Sequence, residues 1–289
     1  GKMNFSLLMH NENKNNYATV FNFFASSYHY DEALRYQVFR PALSFYFRTD
    51  DFRLNSRHLL GIYYFDVRRE KTKDSNANPN YKVINLRHLY SNRGAIKHLT
   101  LDTNFQFADK FSKVEFEFDI RRLLPSGSQV TARFFIGKFL NHSSRQTNFF
   151  DFNLNRPQDY LFRYNYFGRS EDKGFYSQQI VMAEGGFKST HSRATANDYL
   201  LSANITLGLW KWIEAYGEIG SLKNIREKVY TFFGSGIRFN IIPDYLELYF
   251  PFLSSNGWEI NQENYERKIR FVLTLNSKQF ISLFSRRWF

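Results

Sequence analysis

The 289-residue chain has no cysteine, only 6 prolines and 3 methionines, and no apolar run near the roughly 20 residues that a membrane-spanning helix needs. Lack of cysteine excludes disulfides and thiolate-ligated metals, and it is compatible with an oxidising envelope compartment. Lack of a long apolar run, with a mean hydropathy of -0.49, excludes a helical membrane protein.

Catalytic motifs are missing too. There is no HExxH, GxSxG, P-loop or GxGxxG, and no two of the 7 histidines stand at i, i+4. His29, beside Asp31 and Glu32, reads as a surface-loop residue rather than a metal ligand. The run GSG at 234–236 lies inside a strand pattern, where glycine marks a kink or a close approach of strands. No cofactor or metal is expected, and nothing in the chain resembles an active site. Gly1-Lys2-Met3 leads directly into Asn-Phe-Ser without a visible signal peptide; either one was cleaved from an exported protein or the chain is the C-terminal piece of something longer, and the second is the favoured expectation.

Aromatics are plentiful. The 33 Phe, 19 Tyr and 4 Trp make up 19% of the chain, about twice what an average soluble domain carries. Phe and Tyr favour strands, and aromatic girdles mark both rims of outer-membrane barrels. The formal charge is +12 and the pI about 9.7. On a soluble protein such a charge raises nucleic acid as a partner. Here Lys and Arg are spread along alternating strands and loops, which suits a charged lumen and loops facing anionic headgroups. Outer-membrane lipid is therefore the expected partner, and nucleic acid is not.

The stretch KVEFEFDIRR, residues 113–122, alternates without a break. Val114, Phe116, Phe118 and Ile120 form one face; Lys113, Glu115, Glu117, Asp119 and Arg121 form the other. Either the apolar face packs in a soluble core, or it meets lipid while the charges line a barrel lumen. Similar segments recur at 43–47, 59–67, 81–91, 96–109, 128–140, 177–188, 196–209, 211–221, 229–240, 243–252 and 265–275, with weaker ones near Phe5 and Val20. The rhythm implies one all-β domain, a transmembrane antiparallel barrel of roughly 14 strands (about 12–16) over residues 1–275. Most segments approach the about 9–11 residues of a membrane-crossing strand, whereas soluble strands peak at about 5–6. Connections near 125–127, 209–210 and 242–244 are tight; those at 71–80, 141–176 and 253–264 are long. Val114, Phe116, Phe118 and Ile120 are thus expected against lipid, and Glu115, Glu117 and Asp119 toward the lumen.

The stretch 151–188 combines charge of both signs with aromatics: Arg156, Asp159, Arg163, Gly168, Arg169, Glu171 and Asp172 among Tyr160, Tyr164, Tyr166 and Phe167. It is expected to insert into the lumen as a plug, its long loop at 151–176, with Arg169 pairing Glu115, Glu117, Glu214 or Glu218. The end, 276–289, places Phe280, Phe284 and Trp288 at i, i+4, i+8 among Lys278, Arg286 and Arg287. That spacing suits a short amphipathic tail at the membrane interface.

Residues 156–189, 234–252 and 265–289 resemble the C-terminal region of large Bacteroidota envelope proteins that carry an aminopeptidase-N-like (gluzincin) metallopeptidase domain upstream. A more distant likeness is to the outer-membrane barrel-assembly and two-partner-secretion superfamily, where a lumenal Arg-Gly loop precedes the last strands. Here the dipeptide is the reversed Gly168-Arg169, followed by Gly236, Pro243 and Leu246. The first resemblance implies an outer-membrane anchor for a peptidase domain, with any zinc chemistry outside this chain. The second implies a component that inserts or translocates proteins, in a complex with other envelope proteins. A soluble basic β-protein is the third reading.

Overall fold

In the computed structural model, residues 2–12, 15–31, 34–48, 56–69, 80–94, 96–143, 148–164, 166, 174–242 and 245–273 are described. The chain opens with eight strands: β1 (Lys2–His10), β2 (Asn16–Asp31), β3 (Leu34–Arg48), β4 (Ser56–Arg69), β5 (Tyr81–Arg93), β6 (Lys97–Ala108), β7 (Phe111–Leu123) and β8 (Gln129–His142). Two short strands follow, β9 (Phe152–Asn153) and β10 (Thr195–Ala196). Then come β11 (Tyr199–Trp210), β12 (Ile213–Lys223), β13 (Tyr230–Ile242), β14 (Leu246–Ser254), β15 (Gly257–Trp258) and β16 (Arg270–Leu273). All but β9 and β10 join one 14-stranded sheet, in which chain neighbours pair antiparallel and β8 pairs directly with β11. The expected all-β antiparallel architecture is what forms.

Strand polarity follows the alternation. Lys113, Glu115, Arg133, Glu214, Glu218 and Arg238 are buried on one face of the sheet. Ile62, Leu86, Phe105, Phe134, Ile205 and Ile219, on the opposite face of β4, β5, β6, β8, β11 and β12, are exposed. Large apolar side chains outside and charges inside invert the distribution of a soluble protein. Val114, Phe116, Phe118 and Ile120 share that outer face, where Phe118 meets the Phe134 ring at 6.2 Å.

The sheet curls. Residues 149–191 touch strands from β2, where Phe162 stacks on Tyr28 at 4.8 Å, to β16, where Ile180 N–H donates to the Phe271 carbonyl at 2.9 Å. Laid flat, those strands would spread over roughly 50 Å at ~4.8 Å each. One compact segment reaches all of them because the charged face is concave and wraps it. The tight connections at 125–127, 211–212 and 243–245 lie at one end of the sheet; those at 70–80, 143–198 and 255–269 lie at the other.

Two segments depart from the alternation. Residues 177–188 form no strand; a 3-10 turn at Phe175–Gln178 and irregular chain take their place, because Gly185, Gly186 and a left-handed Glu184 (φ 47°) turn the backbone sharply. The inserted stretch therefore runs well past residue 176. In the expected closing strand 265–275, a 3-10 turn (Tyr265–Arg267) precedes strand residues Arg270–Leu273; residues 274–289, with the tail 276–289, lie outside the described residues.

Gly236 shows how close the strands come. A Cβ there would lie 2.1 Å from the Phe250 carbonyl oxygen and 2.7 Å from the Tyr216 hydroxyl. Gly236→Ala is expected to cost about 1–3 kcal/mol through overpacking, whereas Gly217→Ala, which meets open space, should stay within about 0.5 kcal/mol. The temperature at which the folded band disappears in gel electrophoresis measures both.

Candidate functional site

The chain leaves β8 at His142 and rejoins the sheet at Tyr199, and most of that excursion lies against the concave face. Its apolar anchors are Phe150, Phe152, Leu154, Tyr160 and Phe187, all buried against Phe111, Phe135, Leu200 and Leu222 of the wall. Each such side chain contributes about 1.5–3 kcal/mol of burial. β9 and β10 pair through Asn153–Thr195 and Phe152–Ala196, closing the excursion at its base.

Lys113 stands at the centre of this contact. Its side chain is fully buried; Nζ donates to the Phe150 carbonyl at 3.2 Å and lies 3.2 Å from a Glu115 oxygen. The rings of Phe152 (4.2 Å), Tyr160 (5.0 Å), Phe139 (5.3 Å) and Phe111 (5.8 Å) surround the ammonium. Each desolvated cation–π contact of this kind contributes about 1–2 kcal/mol. Two of the rings belong to the wall and two to the inserted segment, so the lysine ties one to the other. Alternation placed Lys113 on the charged face but gave no sign of the cage, which needs residues 37–47 positions away.

Further along, the Asp159 carboxylate accepts the N–H groups of Arg163 (2.6 Å) and Tyr164 (2.9 Å). That turn aims Arg163 at Glu115, 3.9 Å away, and Phe162 at Tyr28. Arg156 lies over the Tyr166 ring at 5.0 Å. Gly168, Arg169, Glu171 and Asp172, where Arg169 was expected to pair with the wall, lie outside the described residues.

The wall carboxylates nevertheless have cationic partners. Glu218 pairs with Lys188 of the inserted segment at 3.1 Å and also accepts its backbone N–H at 2.9 Å. Glu117 pairs with Arg133 at 2.8 Å, and Glu214 with Arg238 at 2.8 Å, both within the wall. Asp119, beside Glu117 on the same face, lines both cavities described below.

Arg133 also donates from Nη1 to the Glu184 carbonyl at 2.6 Å, which Ser202 reaches at 3.2 Å. A Cβ on the next residue, Gly185, would sit 2.4 Å from the Leu154 carbonyl oxygen, so only glycine lets the two passes of the segment meet. Lys188, Arg133 and Glu184 were not singled out from sequence; the GlyGly pair at 185–186, a backbone signal for tight approach, was the available clue.

On the tight-turn side of the segment, the concave face borders two partly open cavities of about 480 Å³ and 420 Å³ among the described residues. Asp119, Arg163, Tyr164 and Met182 line both and form the neck between them. Among the described residues no group of three or more His, Cys, Asp or Glu is placed to hold a metal ion. No family model matches the chain, and no curated protein matches it either.

Burial pushes the Glu184 carboxyl up to about 8, with Lys113 pulling the other way. Released from the wall it would titrate near the ordinary 4.5, so the docked state holds the proton more tightly. Docking is then strongest below pH about 4.5 and weakens as pH rises through about 8. Protease cleavage within 149–191 should be slower at pH 5.5 than at pH 9, and Glu184→Gln should flatten that difference. Lys188→Ala, which strands buried Glu218, should cost about 3–5 kcal/mol of docking stability, and Lys188→Met with Glu218→Leu distinctly less. The same proteolysis, with thermal melting, checks both.

Proposed function

We propose that the chain is a membrane-embedded β-barrel of a Gram-negative outer membrane, filled by its own inserted segment, which anchors an upstream peptidase-like domain. The observation carrying the membrane assignment is the inverted polarity: a belt of exposed Leu, Ile and Phe on the convex face and buried charge on the concave one. In water such a belt would drive association; in hydrocarbon it is the required surface, and the strands of 12–16 residues from β2 to β8 exceed what the bilayer demands. Charges of the concave face then line a lumen, and lipid is the partner of the convex face.

Anchoring fits the way the segment is held. Lys113, Arg133 and Lys188 clamp it at three points, through the Phe150 carbonyl, the Glu184 carbonyl and Glu218, as suits a filled barrel that bears a load rather than a passage that opens. The Bacteroidota resemblance supplies the load, an aminopeptidase-N-like domain, and places any zinc chemistry there. One observation favours the second reading, a component of protein insertion or translocation. Every residue of β1 is exposed on both faces, and among the described residues β1 pairs only with β2. An edge without a partner among the described residues can accept another strand.

A charge at Phe118 or Phe116 should reduce stability by about 2–4 kcal/mol if it meets lipid near the midplane. Phe118→Arg is therefore expected to lower the folded, heat-shiftable fraction in detergent. An unchanged fraction, or a wild-type chain that stays soluble and monomeric without detergent, would refute the membrane assignment. Anchoring is tested by deleting residues 1–289 from the full-length protein: the upstream domain should leave the membrane fraction, whereas retention favours the insertion reading.

A further inference from the structure

Cations on the convex face have different surroundings at its two ends. Near the long-loop end Arg68 pairs with Asp66 at 3.0 Å, Lys138 pairs with Asp198, and Lys223 lies 3.7 Å from the same carboxylate. Near the tight-turn end Lys97 and Arg122 stand directly opposite each other across β6 and β7, and both are exposed. Among the described residues neither takes part in an ion pair. Alternation from Gln106 and Glu115, which are buried on the concave face, puts both cations on the convex side.

Like charges directly opposite on adjacent strands destabilise a sheet, so this pair is relieved by an anion that touches both heads. Along the strands the next convex pair is Leu99 with Ile120, and the one after it is Leu101 with Phe118. They follow at about 7 Å and about 14 Å, at ~3.4 Å per residue. Two cations thus top an unbroken apolar track. At the same end the 211–212 turn exposes Trp210 and Trp212, and Lys211 lies over the Trp210 ring at 5.5 Å. Trp with a basic residue beside it marks the level of lipid headgroups.

We infer that Lys97 and Arg122 form a binding site for an anionic glycerophospholipid, its phosphate held between the two cations and its acyl chains along Leu99, Leu101, Phe118 and Ile120. The inference rests on the barrel reading above and names the lipid class that this reading leaves open. A phosphate accepts hydrogen bonds from the Arg122 fork and the Lys97 ammonium together. Free phosphate would gain only those exposed, salt-screened contacts, whereas acyl chains add burial against the apolar track. A zwitterionic headgroup brings its own cation to the same place and gains less from the pair.

The test is native mass spectrometry of the full chain released from neutral-detergent micelles that contain phosphatidylglycerol or phosphatidylcholine with identical acyl chains. Phosphatidylglycerol should be retained at least about tenfold more strongly, and Lys97→Gln/Arg122→Gln should cut that preference to less than about twofold. That variant removes a like-charge contact, so it is expected to fold. Exchange of the cations, Lys97→Arg/Arg122→Lys, and Lys138→Gln/Lys223→Gln at the other end should each leave the preference within about twofold of the wild type. Absence of a wild-type preference would overturn the inference. So would an equal loss in the Lys138/Lys223 variant, which spreads the attraction over the whole surface, or full displacement by millimolar glycerol phosphate, which marks a small-anion site. Heat-shifted gel mobility on the same samples separates the two claims. A folded barrel without lipid preference sinks this inference and leaves the membrane reading standing; a chain that stays soluble and monomeric without detergent sinks both.

Discussion

Charge buried on the inner face of a curled sheet is the constraint from which the rest follows. A carboxylate or ammonium withdrawn from water costs several kcal/mol unless another charge or a set of dipoles replaces the lost hydration. Lys113 obtains this from Glu115, the Phe150 carbonyl and four aromatic rings; Glu218 obtains it from Lys188. The inserted segment supplies half of those partners for Lys113 and the cation for Glu218. Wall and segment are consequently one structure, since removing the segment would leave the wall with bare buried charge.

The aromatic surplus takes on a second meaning in this light. A girdle role accounts for rings on the outer rims, yet Phe111, Phe135, Phe139, Phe150, Phe152 and Tyr160 are buried inside, in the cluster that grips the segment. Edge-on contacts such as Phe111 with Phe139 at 6.1 Å let large rings fill the space with directional fit. This apolar grip occupies the long-loop end, while the charged cavities occupy the tight-turn end. The concave face is thus graded along the strands, from an aromatic half to a charged half that borders the cavities.

How much of this was legible depended on the range of the interaction. KVEFEFDIRR declared its two faces because alternation is a property of neighbouring residues, and the register of β6, β7 and β8 keeps it. Tight and long connections could be told apart for the same reason, and they sort to opposite ends. The stretch 177–188 misled because its apolar and polar residues alternate by chance of composition, while Gly185 and Gly186 govern its backbone. Arg163, Lys188 and Arg133 could not be matched to Glu115, Glu218 and Glu117 from sequence, since any inward cation could in principle reach any inward carboxylate.

By itself the sequence determined that the chain forms long two-faced strands, that one face is apolar and the other charged, and that a polar, aromatic excursion interrupts them. These are local consequences of side-chain period and turn chemistry. Only the tertiary structure decided which face is concave, which cation meets which carboxylate, and that Lys113 sits among rings drawn from three separate stretches of chain. Those outcomes depend on curvature and on contacts between residues tens of positions apart, whose geometry no local pattern encodes.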